Sequence, residues 1–274
     1  MNFYQNKTAF ITGGSSGIGL AVAKALAKAG CSVVIFARSE TKLQQAVTEI
    51  KSATAARVNI KYYSVDTTDN IAVKTCLDIA VKESGIPQLL VNSVGIAQPN
   101  YFENISFESF DKTIKTNLYS TWNVVHTLLP YMKIKGGQIV NTSSIAGFLG
   151  IFGYTDYCMS KFGIIGFSEA LRSELKQYAI KVQVLCPPDT DTPGFEAENK
   201  NKPEETKAIG GNAKLLSPDA VAMALLKGMQ KNTFLILPGF EGKLTRLLSR
   251  FFPNLIEWIM QINIKKAQKQ LNNK

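Results

Sequence analysis

Thr12-Gly13-Gly14-Ser15-Ser16-Gly17-Ile18-Gly19 is the stretch that decides the fold. A short β-branched and aromatic run, Thr8 to Thr12, leads into it, and an amphipathic stretch from Gly17 to Ala29 follows. The glycines let the backbone leave a strand through a sharp turn and approach a ligand closely, while the first helical turn offers free N–H groups and a partial positive charge. A pyrophosphate needs that arrangement, and the strand-loop-helix context is what gives the motif its weight. Gly13, Ser15, Ser16, Gly17, Ile18 and Gly19 are the expected phosphate cradle of a dinucleotide.

Outward from this loop, strand-like runs alternate with helical ones to the end of the chain. Strands are predicted at Thr8 to Thr12, Ser32 to Phe36, Asn59 to Val65, Leu89 to Asn92, Gln138 to Thr142, Lys181 to Cys186 and Phe234 to Leu237. Helices are predicted at Gly17 to Ala29, Glu40 to Ala53, Asn70 to Glu83, Ser106 to Lys133 with a bend near Pro130, Tyr154 to Tyr178 and Pro218 to Lys231. This periodicity predicts an α/β fold, a Rossmann-type doubly wound parallel sheet flanked by helices. With 274 residues, 45% apolar and 19% charged, one domain is the expectation. Residues 1–238 read as the dinucleotide-binding catalytic unit. Within them, 187–217 is too long and charged for an ordinary connection and reads as a mobile substrate lid. Residues 239–274 read as a basic, amphipathic, helical tail.

Composition narrows the chemistry. Cys31, Cys76, Cys158 and Cys186 lie far apart with no C-x-x-C spacing, so neither a disulfide framework nor a metal site is expected. Cys158 reads as a small buried apolar residue. His126 is the only histidine and falls in a helical stretch, so it reads as structural. Met1 to Lys7 has no apolar signal segment. The longest apolar window, Leu255 to Ile264, is interrupted by Glu257, Gln261 and Asn263 and is far short of the roughly 20 residues of a span. A cytoplasmic protein is expected, with room for peripheral contact with a membrane.

Two further segments carry chemistry. An NAD-binding fold of this type ends its second strand on an acid that holds the ribose 2′-OH. Here the segment is Phe36-Ala37-Arg38-Ser39, and Arg38, with Ser39 and Lys42 in support, suits a 2′-phosphate instead. NADPH/NADP+ is the expected cofactor. Tyr157 and Lys161, four apart on a helix, share a face, so an ammonium can sit near a phenol and bring its pKa down from about 10 toward neutrality.

Taken together, the glycine loop, the Asn141-Thr142-Ser143-Ser144 run and the Tyr157/Lys161 pair resemble the short-chain dehydrogenase/reductase family, over about residues 7 to 237. The resemblance implies that Tyr157 is the general acid, that Lys161 tunes it and binds the nicotinamide ribose, and that Ser144 rather than Ser143 orients the substrate oxygen. It also implies that Asn117 anchors a water relay, that Asp66 contacts the adenine and that Thr192 holds the carboxamide. Asn92, Gly95 and Pro187 fall among its cofactor contacts. Two departures stand out: Asn92-Ser93-Val94-Gly95 replaces the usual N-N-A-G, and Pro187-Pro188 replaces Pro-Gly. The second fixes φ beside the nicotinamide.

The lid run from Pro187 to Phe195, with Glu198-Asn199 and Lys202 to Thr206, resembles the branch of the family that reduces the long-chain ketone 3-ketosphinganine. A long-chain hydrophobic ketone is the substrate this implies. A steroid or 3-oxoacyl ketone, and a non-catalytic NADPH sensor, are the alternatives.

The chain carries 31 basic and 21 acidic side chains. Half of the net +10 lies beyond Gly239. Leu244, Leu247, Leu248, Phe251 and Phe252 form a helical stripe there, flanked by Lys243, Arg246 and Arg250. Such a stripe fits an anionic bilayer or a protein surface, including a second subunit of a homo-oligomer. No motif accompanies the charge that would point to nucleic acid.

Overall fold

The computed structural model describes residues 3–55, 57–211 and 215–272. Its first strand, β1 (Thr8–Thr12), sends Ala9 and Ile11 to one side and Phe10 to the other, and all three are fully buried. A strand buried on both faces belongs inside a parallel sheet covered by helices on either side. That holds along the chain: α1 (Gly17–Lys28), β2 (Ser32–Ala37), α2 (Glu40–Ser52), β3 (Ile60–Ser64), α3 (Asn70–Ser84) and β4 (Leu89–Asn92) alternate as predicted. After α4 (Phe107–Ile114) and α5 (Ser120–Lys135) come β5 (Gly137–Thr142), α6 (Thr155–Leu175) and β6 (Ile180–Leu185). Two short helices follow in the stretch read as a lid, α7 (Pro193–Asn199) and α8 (Glu204–Gly210), then α9 (Pro218–Gln230), β7 (Leu235–Ile236), α10 (Gly239–Phe251) and α11 (Pro253–Asn272).

The seven strands pair in parallel in the order β3-β2-β1-β4-β5-β6-β7. One core, including Val22 and Leu26 of α1, Leu43 of α2 and Leu225 of α9, fills one face. The other, including Leu77 of α3, Leu128 of α5 and Leu175 of α6, fills the opposite face. Strand order reverses between β1 and β4, and the crevice beyond their carboxyl ends is where open α/β sheets take ligands.

Three departures from the sequence reading have physical causes. The single helix expected from Ser106 to Lys133 is two helices joined by a π-helical turn, Lys115–Tyr119. Pro130 does not break α5, which runs on to Lys135 and stops at Gly136 with φ +70°. The stretch 187–217, read as a mobile lid with no helix assigned to it, contains α7 and α8, each started by a proline or a residue beside one. The tail is two helices, and they use different faces. On α11, Ile256, Ile264 and Ala267 are buried, and the helix packs along α8. On α10 the small and polar face turns inward, with Gly242 against Ile145 and the Arg246 guanidinium over Phe148, 5.1 Å from its ring centre. Its apolar stripe faces outward, with Phe240 76% and Phe251 62% exposed.

Candidate active site

The glycine loop closes on itself more tightly than a side chain would permit. Gly13 has φ +68°, and a Cβ on Gly19 would stand 2.3 Å from the Gly13 carbonyl oxygen. Ser16 precedes α1 with extended backbone and makes no side-chain cap, so the first N–H groups of the helix are left to a ligand. Thr192 stands over this loop: a Cβ on Gly17 would meet its Cγ2 at 3.2 Å, and its Oγ1 accepts from the Phe195 N–H to start α7. The loop expected to hold the phosphates and the residue expected to hold the carboxamide are thus brought together.

At the end of β2, Arg38 is exposed and its carbonyl accepts from Ser64 Oγ at 2.9 Å. Ser39 caps α2 by accepting from the Lys42 N–H at 3.4 Å, and Lys42 is exposed one turn into that helix. Among the described residues no ion pair engages either cation. Asp66, just beyond β3, accepts from both the N–H and the Oγ1 of Thr68, fixing a turn at the sheet edge. The Asn92 side chain is spent inside the sheet: its Nδ2 donates to Asn141 Oδ1 at 2.9 Å, and its Oδ1 accepts from Thr12. Only its backbone is left for the crevice. The Pro187 carbonyl accepts from the Ile145 N–H and holds the end of β6 to the Ser144 turn.

The π-helical turn explains Asn117. The extra residue in the turn brings its amide inward, where it accepts from the Ile96 N–H at 2.8 Å and donates to the Ile96 carbonyl and to Ser160 Oγ. Gly95, next to Ile96, leaves room for both partners, since a Cβ there would stand 3.1 Å from Lys161 Nζ. Lys161 is 3% exposed, and its Nζ donates to the Thr142 carbonyl at 3.0 Å. Ser143 turns away and donates to the Lys161 carbonyl at 2.8 Å, whereas the Ser144 hydroxyl accepts from the Ala146 N–H at 3.2 Å and lies close enough to Tyr157 to pull its phenol down. Of the two serines, Ser144 is the one that bears on Tyr157.

The electrostatics correct one expectation. Burial lowers the Lys161 ammonium to about 8. Burial first, and then the charge of Glu198, push the Tyr157 phenol up from its ordinary value, against the smaller pull of Ser144. The depression expected from Lys161 is not there, because its Nζ is committed to Thr142 and lies 5.5 Å from the centre of the tyrosine ring. Glu198 and Asp189, neither foreseen with this electrostatic role, both bear on Tyr157. Glu198 accepts from the Tyr154 hydroxyl and pairs with Lys202 at 2.9 Å, both partners being largely buried. Loss of solvation among its neighbours pushes the Asp189 carboxyl up, Lys202 pulls it down and Glu198 adds to the rise. The lid is further tied by Glu205, which accepts from the Tyr101 hydroxyl at 2.9 Å and from Gln268 of α11 at 3.4 Å.

A nicotinamide dinucleotide fits these residues: a cradle that excludes Cβ atoms, an uncapped helix start and a buried ammonium beside a phenol. The short chain dehydrogenase family profile matches residues 7–203, and the chain belongs to that family of oxidoreductases. It is 36% identical over 261 residues to the 3-ketodihydrosphingosine reductase of Dictyostelium discoideum, covering 89% of this chain and 78% of that one. It is 39% identical over 244 residues to the 3-dehydrosphinganine reductase TSC10B of Arabidopsis thaliana, covering 88% and 72%. Among solved structures it is similar to an alcohol dehydrogenase from the archaeon Thermococcus sibiricus complexed with 5-hydroxy-NADP, at 25% identity and a TM-score of 0.72, covering 84% and 94%. No helix among the described residues is long and apolar enough to cross a membrane.

Proposed function

We propose that this chain catalyses the NADPH-dependent reduction of 3-ketosphinganine, the ketone of its named relatives, to sphinganine in sphingolipid biosynthesis. The observation that carries the reading is the buried Lys161 ammonium 5.5 Å from the centre of the Tyr157 ring, with Ser144 bearing on the phenol and two lid carboxylates beside it. The ketone oxygen lies between Ser144 and Tyr157. Ser144 orients it, Tyr157 donates the proton, and Asn117 holds Lys161 in register through Gly95 and Ile96. The nicotinamide, when bound, supplies the hydride. A phenol kept protonated by burial is a competent donor until that moment, and Lys161 holds the nicotinamide ribose when the cofactor is bound.

The cofactor is NADPH because Arg38 and Lys42 are free cations where an acid would select the 2′-OH. Gly13, Ser15, Ser16, Gly17, Ile18 and Gly19 hold the phosphates, Asp66 and the Asn92–Gly95 backbone the adenosine, and Pro187 and Thr192 the nicotinamide. The substrate ammonium faces Asp189 and Glu198. Residues 1–238 form the catalytic unit with 187–217 as its lid, and 239–274 the tail. The outward apolar stripe of α10, bordered by Lys243 and Arg250, meets an anionic bilayer, where the substrate resides. A panel of ketones with NADPH, followed at 340 nm, tests the assignment. 3-Ketosphinganine should be reduced with the highest kcat/KM, and ready reduction of steroid or 3-oxoacyl ketones with none of 3-ketosphinganine would overturn it.

A further inference from the structure

The helix α11 carries a second apolar stripe that faces inward. Pro253, Ile256, Met260 and Ile264 lie on it with Glu257 and Gln261, at intervals of three and four residues. Opposite them stand Phe148 and Ile151 from the segment after β5 and Ile209 of α8, and between the two walls is a cavity of about 540 Å³. That volume lies within the range of small-molecule sites. The cavity adjoins the reacting centre: Ile151 and Cys158 line it and also belong to the apolar cluster that contains Ala146 and the Tyr157 ring. The Ile151 N–H, held 3.5 Å from Cys158 Sγ, keeps the segment against α6. Neither of the acids that bear on Tyr157, Asp189 and Glu198, is among the lining residues.

Glu257 and Gln261 stand at the exposed edge of the cavity, and the walls that face each other are mainly aliphatic and aromatic, so a hydrocarbon gains by leaving water there. We infer that this cavity is the binding site for the linear alkyl chain of the substrate, with α11 as one wall. The chain leaves the ketone at Tyr157, passes Ile151 and Cys158, and lies along the stripe from Pro253 to Ile264, about 16 Å of helix. The inference rests on the proposed function for the identity of the ketone, but not for the presence of the groove. It makes the C-terminal helix part of the substrate site and the source of chain-length selectivity.

The test is a series of 2-amino-3-ketones of increasing saturated chain length, assayed with NADPH on the full-length protein. In the wild type kcat/KM should climb by up to about fourfold per methylene and level off once the chain outruns the stripe. Met260→Trp on one wall and Ile209→Trp on the other should each lower the long-to-short ratio at least tenfold, and Met260→Leu should keep the wild-type slope. Circular dichroism melting identifies any variant that fails to fold. An unchanged ratio in both folded tryptophan variants would overturn the assignment. A second readout needs no turnover: a nitroxide-labelled long-chain saturated amine should give an immobilised spectrum with the wild type and a freer one with Met260→Trp. Equal immobilisation also overturns the groove. A wild type that holds the probe in this Met260-dependent manner yet reduces no amino ketone would refute the substrate reading and leave the groove standing.

Discussion

Lys161→Met should flatten part of the pH dependence of stability, and the size of the change follows from where the ammonium sits. Lys161 is 3% exposed, its Nζ has the Thr142 carbonyl as its acceptor, and no carboxylate pairs with it among the described residues. Burial lowers it from its ordinary 10.5 to about 8. The folded pKa is therefore below the unfolded one, so between about pH 8 and 10.5 the unfolded chain holds more protons and stability rises with pH. A gap of about 2.5 units, at about 1.4 kcal/mol each, amounts to roughly 3 kcal/mol. This gain is absent below about pH 8 and complete above about 10.5. Methionine has a similar length and does not titrate. The loss of a donor to Thr142 offsets the variant by a constant amount that does not enter the slope. Cys31, Cys76 and Cys186, pushed up by burial to about 12, about 11 and about 12, titrate in the opposite sense; Cys31 and Cys76 do so alike in both proteins and cancel, whereas Cys186, which the Lys161 charge pulls down, rises in the variant and is followed separately by thiolate absorbance. Urea unfolding of both proteins under reducing conditions, from about pH 7 to 11, measures it. The advantage of the methionine variant over wild type should shrink by roughly 3 kcal/mol across the window. A constant difference would show that Lys161 holds its proton in the folded chain as firmly as in water.

Three further outcomes are expected. Tyr157→Phe keeps the ring packed against Ala146, Ile151 and Cys158 but removes the proton donor, so turnover should fall by about 10²-fold or more with NADPH affinity retained; substantial residual turnover would move the role elsewhere. Arg38→Ala should weaken NADPH by about tenfold or more and leave NADH nearly unaffected, as a charge-assisted contact to the 2′-phosphate is lost; equal losses by fluorescence titration would remove Arg38 as the discriminator. Replacing the outward Phe240, Leu247 and Phe251 by serine should lower co-sedimentation with phosphatidylserine vesicles and leave the melting temperature nearly unchanged, because these side chains are exposed. Undiminished vesicle binding would take the α10 stripe out of any membrane contact.

The elements set by local chemistry were legible in the sequence. Alternating β-branched runs and capped helices placed all seven strands within a residue at either end, because buried parallel strands are short, apolar and bounded by turn residues. Ser144 was distinguishable from Ser143 only through the resemblance, and the structure brings Ser144 to the phenol while Ser143 turns to the Lys161 carbonyl. What was hidden depended on tertiary packing. The π-helical turn at Asn117 has no periodicity of its own within an otherwise helical run. The lid helices α7 and α8 are short, charged, and stabilised by partners distant in sequence, such as Tyr101 and Gln268 for Glu205. Which surface the α10 stripe meets was illegible for the same reason: an apolar stripe calls for cover without saying by what. Glu198 could have been singled out only by its spacing from Lys202, an i,i+4 pair that on most helices is a solvated surface feature.

The tie from Glu205 to Gln268 places the last helix of the chain within reach of the first event in a catalytic cycle. If the lid swings, α8 either carries α11 along or parts from it, so the far end of the polypeptide feels substrate arrive and product leave. For anyone handling the protein, a purification tag, a fluorescent fusion or a tether placed after residue 272 pulls on a helix tied to α8, so the choice of terminus for such additions bears on whatever motion the proposed lid makes.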